Sequence, residues 1–203
     1  MLMESNGFKI IRWVLILLVV FLLIGLVIFI IFRPNNDSGS DTNSSSTSES
    51  QPSTNIMDYS TTGTFNFTQD GRITAPENHR TIAIIVTNSS RKITIYTGYN
   101  SAVLNSKEYS NTQDSFNAFL QALGGAGFMT TRESSGGSLT GSCTLGVRYT
   151  YQLSNNTSTM PVNSWGNSCN SKQGTFGGNV NTVQQLFKNQ IPDYSTITNN
   201  VTL

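Results

Sequence analysis

Residues 13–32 form one uninterrupted apolar run, WVLILLVVFLLIGLVIFIIF, that holds no charge, side-chain amide or hydroxyl group. At a rise of 1.5 Å per residue, a helix of about 20 residues spans about 30 Å, the thickness of the hydrocarbon layer of a bilayer. A helix of this length in a soluble core would normally keep a polar face. The run therefore predicts a single transmembrane helix, and the lipid bilayer is the first partner that the sequence implies.

The charges that flank this run predict its orientation. Lys9 and Arg12 precede it, whereas Arg33 follows it and the next basic residue is Arg72. An excess of basic residues marks the cytoplasmic end of a transmembrane helix, so we expect a short cytoplasmic tail at residues 1–12 and a translocated C-terminal part. The run is longer than the apolar region of a cleaved signal peptide, and no small-residue cleavage site follows it. We therefore interpret it as an uncleaved signal anchor.

The junction of Gly7 and Phe8 resembles the processing site of type IV pilins and pseudopilins. That family places a Glu five residues into the mature chain, where this sequence has Arg12. Pilin helices also continue as a long amphipathic stalk, whereas Pro34 disfavours a helical continuation here. The resemblance covers the first turns of the chain, and it keeps a structural subunit of a pilin-like or secretion-type assembly as an alternative.

Residues 33–60 change abruptly to a polar composition rich in Ser, Thr, Asn and Asp. The apolar or aromatic side chains in this stretch are few, and they are Ile56, Met57 and Tyr59. Such a segment cannot bury enough apolar surface to offset the entropy of ordering it. We interpret it as a flexible, disordered linker between the membrane and one extracytoplasmic domain at residues 61–203.

The length and charge of residues 61–203 narrow the class of the domain. The segment is long enough for one domain with one core. It carries nine Lys or Arg against six Asp or Glu, and the basic residues are scattered rather than grouped in a run. Proteins that bind nucleic acid normally concentrate basic residues on one surface. The composition therefore argues against nucleic acid as a partner.

Alternating side chains predict about five strands. Residues 64–68 place two Phe side chains on one face, and residues 81–86 (TIAIIV) form an apolar, β-branched run typical of a central strand. Residues 92–96 alternate again and should form a hairpin with that run. Two further strands are expected at residues 127–131 and 145–153, the second with Leu145 as the first of its inward-facing residues.

Apolar residues at helical spacing predict two helices. One series occupies residues 116–123 at positions i, i+3, i+4 and i+7, and a capping-box pattern begins before it at Ser110. The second series occupies residues 183–187 and ends before Pro192. The order of elements indicates an α+β fold, in which a mostly antiparallel sheet of about five strands carries the two helices on one face.

Cys143 and Cys169 are the two cysteines of the chain, and both lie in the segment predicted to be translocated. Outside the cytoplasm, two thiols most simply form one disulfide. A zinc site needs four ligands, and redox pairs usually have the Cys-x-x-Cys spacing, so the residues present favour a structural bond over a metal or redox site. Closing a loop of about 26 residues would stabilise the domain by about 3–4 kcal/mol through chain entropy.

Few residues suggest chemistry. His79 is the one histidine, and a catalytic histidine would need a nucleophile and an orienting partner that the sequence does not identify. No familiar catalytic or nucleotide-binding motif occurs, so we expect a non-catalytic protein without a metal or other cofactor. Trp165 lies in a loop predicted at residues 160–170. It has two interpretations, which are packing against the disulfide and an exposed contact for a protein or glycan partner.

The C-terminal part of the chain also carries a resemblance. Residues 141–194 resemble the corresponding part of uncharacterised single-pass surface proteins of candidate-phyla bacteria such as Saccharibacteria, in the stretches GSCTLGVRYTYQL, NSWGNSC, GTFGGN and VQQLFKNQIPDY. The resemblance implies a cell-surface context and transfers no catalytic residue. Together these features predict a membrane-anchored, extracytoplasmic binding or interaction module. The alternatives are a structural subunit of a surface assembly and, more remotely, an envelope-modifying enzyme.

Overall fold

The computed structural model describes residues 55–135, 138–155, 160–169 and 174–203. The predicted cytoplasmic tail, transmembrane helix and most of the predicted linker lie outside these described residues. Among the helices that are described, none combines the length and the apolar character that crossing a bilayer requires.

The centre of the described fold is one antiparallel sheet. Within the described ranges it has six strands, and their order across the sheet is fourth, third, second, first, fifth and sixth in chain order. Every neighbouring pair is antiparallel. The strands are β1 (Thr64–Asp70), β2 (Arg80–Val86), β3 (Ser90–Thr97), β4 (Ala102–Ser110), β5 (Arg148–Ser154) and β6 (Val162–Asn167).

Three α-helices and one 3-10 turn complete the part of the chain that the structure describes. They are the 3-10 turn Ile56–Tyr59 and the helices α1 (Gln113–Gly125), α2 (Val180–Asn189) and α3 (Tyr194–Thr198). Strands β1 to β4 follow one another as a meander, and β5 then pairs with β1 on its other side. The connection from β4 to β5 must therefore pass over the sheet, and α1 is the helix that lies in it.

The core lies between one face of the sheet and the helices. Phe65 and Phe67 alternate with polar residues along β1, and both are fully buried. The Phe65 ring meets Phe116 of α1 edge-on, with 5.8 Å between ring centroids. Phe67 lies 5.4 Å from Phe187 of α2. Both helices therefore cover the same face, and each buried aromatic side chain contributes about 1.5–3 kcal/mol through its removal from water.

The structure confirms the α+β class and the antiparallel sheet, and it contains two strands that the sequence pattern does not predict. No alternation marks β4, because all of its residues except Tyr109 are exposed at the edge of the sheet. In β6, Gly166 and three Asn or Ser residues have low strand propensity, so this stretch was predicted as a loop. The strand predicted at residues 127–131 is wrong, since the described structure there is a turn and a single bridge from Thr131 to Phe176.

Two element boundaries also differ from the prediction. The cap of α1 is Thr112, whose hydroxyl accepts a hydrogen bond from the Ser115 amide at 3.2 Å, whereas Ser110 ends β4. Leu145 is 86% exposed and precedes β5, so it does not belong to the core. Its apolar character alone had extended the alternation too far.

The folded domain begins earlier than residue 61. Ile56 and Tyr59 lie in the core cluster, and the Asn55 side chain caps their 3-10 turn by accepting a hydrogen bond from the Met57 amide at 3.0 Å. Residues 55–60 therefore belong to the domain rather than to the linker. Two large apolar side chains among polar neighbours are enough to anchor such a short segment.

Candidate functional site

The two cysteines are brought together at one end of the sheet. Cys143 and Cys169 lie at disulfide distance, with 5.5 Å between their Cα atoms, as the sequence predicts. Next to them, the Ser168 amide donates to the Val147 carbonyl at 2.9 Å, and the Val147 amide donates to the Ser168 hydroxyl at 2.9 Å. The disulfide thus continues the pairing of β5 with β6 beyond the ends of the strands.

Trp165 lies in β6 rather than in a loop. It pairs with Thr150 of β5 and is half-buried. The ring packs beside Gly174, where an added Cβ would come within 2.7 Å of the ring atom Cε3. Trp165 also donates its amide hydrogen to the Thr175 hydroxyl at 3.1 Å and accepts from the Phe176 amide at 3.0 Å. The segment that contains Gly174 therefore covers the outer edge of β6, and a partner contact at the exposed part of the ring stays a prediction.

The face of the sheet opposite the core is polar. Strand pairing aligns small or polar side chains in a central row across this face, which runs Ser106, Thr94, Ala83, Thr68 and Thr150 and ends at the Trp165 ring. In a neighbouring row, Asn66 donates to Gln152 at 3.2 Å, and Gln152 donates to Asn163 at 3.2 Å. These hydrogen bonds hold the side chains in a fixed arrangement.

At the end of β1, Asp70 is the centre of a charged cluster. Its Oδ1 lies 2.9 Å from His79 Nε2, and its Oδ2 lies 2.5 Å from Nη2 of Arg148. The Thr81 hydroxyl also donates to Oδ1 at 2.7 Å. His79 is 2% exposed and Arg148 is 5% exposed. The carboxylate therefore forms an ion pair with the buried Arg148 side chain and contacts the buried His79 ring, an arrangement whose disruption is costly in a protein interior.

The His79 ring has contacts at both of its nitrogens and a stacked aromatic ring. Nε2 faces Asp70, Nδ1 lies 3.1 Å from the Arg72 carbonyl oxygen, and the Tyr99 ring stacks on the imidazole at 4.2 Å between centroids. Both ring nitrogens therefore have an oxygen atom within hydrogen-bond distance. A general base needs a nitrogen within reach of the substrate proton. In this geometry the ring connects the end of β1 to the following loop.

Asp70 and Arg148 were not singled out from the sequence. They are 78 residues apart in sequence, and they meet because β1 and β5 pair in a register that places Asp70 opposite Arg148. The available signal was weak. Each is a charged residue at the end of a strand pattern, which ordinarily indicates exposure to solvent.

The loop after β1, residues 71–74, is held by its backbone. The Gly71 amide donates to the Arg80 carbonyl at 3.0 Å, and Nη2 of Arg148 donates to the Gly71 carbonyl at 2.8 Å. The Ile73 amide donates to the Thr144 carbonyl at 2.8 Å. The Thr74 amide donates to the Tyr99 hydroxyl at 3.0 Å, and this hydroxyl donates to the Thr74 carbonyl at 2.8 Å. The Arg72 side chain, in contrast, is exposed. The loop therefore presents this guanidinium group from a fixed backbone.

A cavity of about 470 Å³ lies beside this loop. Polar side chains dominate its lining, in particular Arg72, Thr74, Asn78, Arg80, Asn200 and Thr202. Arg80 is fixed there because its Nη1 donates to the Glu77 carbonyl at 2.7 Å, the His79 carbonyl at 2.8 Å and the Thr97 hydroxyl at 2.7 Å. The residues that surround the cavity thus combine guanidinium groups with amides and hydroxyls.

The pKa shifts of the domain lie away from this cavity. A hydrogen bond from Lys107 lowers the pKa of Asp193, and the same bond raises the pKa of Lys107, with 2.5 Å between Nζ and Oδ2 at the exposed surface. Burial raises the pKa of Tyr151 and that of Tyr194 to about 12. These shifts have structural causes, namely a surface ion pair and the packing of phenol rings.

Within the described ranges no group of three or more His, Cys, Asp or Glu side chains is placed to hold an ion. Comparison of the chain with known protein families, with characterised proteins and with solved structures finds no match. The class that the geometry itself defines is a disulfide-bonded α+β domain with helices on one face of an antiparallel sheet and a polar surface on the other.

Proposed function

We propose that this chain is a membrane-anchored protein whose C-terminal domain lies outside the cytoplasm and acts as a non-catalytic binding or interaction module at the cell surface. The observation that carries the proposal is the pairing of Cys143 with Cys169 at disulfide distance. Disulfides form and persist in oxidising compartments. The apolar run at residues 13–32 supplies an anchor with the orientation that places these cysteines outside.

The contacts of His79 favour binding over catalysis. Both ring nitrogens of His79 have partners and the ring is covered, so the side chain serves the fold. The surface instead offers a hydrogen-bonded polar sheet face with part of the Trp165 ring beside it. Rigid scaffolds that present polar groups and one aromatic ring are well suited to recognition of a protein or glycan.

Protease added to intact cells tests the topology. The domain should be degraded while a cytoplasmic control protein survives, because the proposal places residues 55–203 outside. Alkylation of the isolated full-length chain without reductant, followed by mass analysis, should find no reactive thiol. A domain that resists protease until the cells are lysed, or a chain with two alkylated cysteines, would overturn the proposed location.

Cross-linking in native membranes tests the binding role. A discrete adduct with a different protein or with an envelope polymer supports the module, and the adduct should weaken in Trp165→Ala if this ring is a contact. The melting temperature of Trp165→Ala decides between the two interpretations of the residue. Lost binding with unchanged melting supports recognition, whereas a lower melting temperature supports packing on Gly174.

One observation favours the structural-subunit alternative. In the described part of the chain β4 is a sheet edge, and its exposed Val103 and Leu104 could extend the sheet into a neighbouring molecule. Lys107 and Glu108 on the same strand, and the irregular pairing next to Ile95, are features that normally protect an edge from such pairing. A ladder of homo-oligomers after cross-linking, lost in Leu104→Lys, would support this alternative over the module.

A further inference from the structure

We infer that the cavity beside residues 71–74 binds a small polar ligand that carries a carboxylate or phosphate group, with an acidic sugar as the best-fitting class. The inference rests on the proposed binding function and names its ligand. It depends on the charge of the cavity, on the free hydrogen-bonding groups around it and on the rigidity of the loop that carries Arg72.

The charged side chains of the cavity lining favour an anion. Arg72 and Arg80 line it, and its described lining contains no Asp or Glu. A guanidinium group presents several N–H donors in a planar fork that matches the oxygens of a carboxylate or a phosphate. Two such groups on one concave surface give an oxyanion more than one charged partner.

Both arginines have N–H groups that donate to no described residue. Within the described residues the exposed Arg72 side chain makes no hydrogen bond or ion pair. The hydrogen bonds of Arg80 leave from Nη1, which positions the group and leaves Nη2 and Nε for a ligand. Arg72 would therefore contribute the stronger gain in charge pairing, while Arg80 would contribute a fixed orientation.

Apart from Gly71, Ile73 and Leu203, the other lining residues fit a hydroxyl-rich ligand. Thr74, Asn78, Asn200 and Thr202 supply side-chain donors and acceptors around the arginines. The volume of about 470 Å³ falls within the range of about 300–1,000 Å³ that is usual for small-molecule sites. Hydroxyls of a sugar can pair with these amides and alcohols while its acidic group meets the arginines.

The loop at residues 71–74 is already ordered before a ligand binds. Its backbone is tied to β2, to the segment before β5 and to Tyr99, while His79 holds the Arg72 carbonyl at 3.1 Å. Binding to a surface that is already ordered avoids much of the entropy lost when a loop must become fixed. The charged cluster around Asp70 thereby acquires a role, which is to support the loop that carries Arg72.

Saturation-transfer NMR on the full-length chain in detergent micelles tests the inference. The probes are glucuronate, glucose 6-phosphate and neutral glucose, with inorganic phosphate as competitor. We expect both acids to bind and glucose to bind at least about tenfold more weakly. Arg72→Ala should weaken the acids by about tenfold or more, since a charge-assisted hydrogen bond is lost. The matched control Lys92→Ala removes one positive charge from the sheet face and should leave binding unchanged.

The outcomes are distinct. A preference for glucuronate identifies a carboxylate ligand and a preference for glucose 6-phosphate identifies a phosphate ligand, and either upholds the inference. Equal binding of the acids by Arg72→Ala and the unmodified chain would show diffuse electrostatic attraction and overturn it. Absence of binding at about 10 mM of each acid would overturn it as well. If neither acid binds while the cross-linked surface partner is still captured, the inference fails and the proposed binding function stands.

Discussion

Strand β1 shows how differently the two faces of this sheet are stabilised. Phe65 and Phe67 point toward the helices and are fully buried among other aromatic rings. Asn66 and Thr68 point the other way and meet the polar side chains of Gln152 and Thr150 on β5. The first face gains stability from the removal of apolar area from water, whereas the second gains it from paired polar groups that water would also satisfy. Stability therefore resides mainly on one face, and the other is free to carry specificity.

The two faces differ also in where their stabilising contacts are placed. The aromatic contacts run along the core from α1 to α2, so they are shared among many residues. On the polar face the strong interactions concentrate at the Asp70 end, where two buried basic groups meet one carboxylate. We therefore expect a substitution on the polar face to be tolerated unless it changes this cluster.

The largest expected effect is that of Phe67→Ala. The Phe67 ring contacts Tyr151 and Phe187 at 5.4 Å between centroids in both cases, so truncation removes a buried ring and leaves a cavity. The free energy of unfolding, measured with urea, should fall by about 3–5 kcal/mol. Thr68→Ala, the next residue on the opposite face, is the matched control and should change it by less than about 1 kcal/mol. Similar losses in the two variants would contradict the difference between the faces.

The contrast between buried and exposed side chains also explains which elements of the fold the sequence predicts. The burial of Phe65 and Phe67 produces an alternation that is visible in the sequence, and the helix series at residues 116–123 is visible for the same reason. β4 buries almost no side chain, so it leaves no such pattern. Recognition of β4 required its backbone pairing with β3, which is a tertiary property.

The candidate site was still harder to foresee. The Asp70 cluster depends on the register between β1 and β5, and the cavity combines the loop after β1 with residues 200–203. Neither relation is encoded in local periodicity. The cysteine pair was predictable because composition alone limits two thiols in an oxidising compartment to one partner each.

The disulfide provides the second largest effect and belongs to neither face. Replacing both cysteines, as Cys143→Ser with Cys169→Ser, should lower the free energy of unfolding by about 3–4 kcal/mol, because the unfolded chain regains the freedom of a loop of about 26 residues. Urea unfolding should also show a steeper dependence on denaturant, since the unfolded state becomes more extended. Reductant should destabilise the unmodified chain and leave the double variant unchanged. A loss below about 1 kcal/mol would show that strand pairing alone fixes this end of the sheet.

The third prediction concerns the charged cluster. Asp70→Ala leaves Arg148 and His79 buried without their carboxylate, and we expect a loss of about 2–3 kcal/mol in urea unfolding. This is less than the loss of about 3–5 kcal/mol that is typical of a fully buried pair, because the Asp70 side chain is 35% exposed. The matched control is Asp193→Ala. Asp193 lies as close to Lys107 as Asp70 does to Arg148, but both side chains are nearly half-exposed, so its loss should be much smaller.

A second substitution identifies the cause of that loss. Arg148→Met in the Asp70→Ala background removes the unpaired charge and keeps most of the side-chain volume, so part of the stability should return. The double variant should then be more stable than Asp70→Ala alone. If it is less stable, the hydrogen bond from Arg148 to the Gly71 carbonyl contributes more than the buried charge costs.

The smallest expected effect appears only at alkaline pH and lies on the apolar face. Burial raises the pKa of Tyr151 from 10.0 to about 12, so the folded state holds the phenol proton more tightly than the unfolded state does. The resulting stability is fully present below the unfolded pKa, near 10, and is lost as pH rises through about 12. At about pH 11 the loss from this one group should be about 1 kcal/mol.

Tyr151→Phe keeps the ring that stacks on Phe176 and removes the ionisable group, so its urea midpoint should fall less than that of the unmodified chain between about pH 9 and pH 11. Burial raises the pKa of Tyr194 as well, so the variant should retain part of the alkaline decline. Identical declines in both proteins would mean that the Tyr151 hydroxyl reaches water in the folded state.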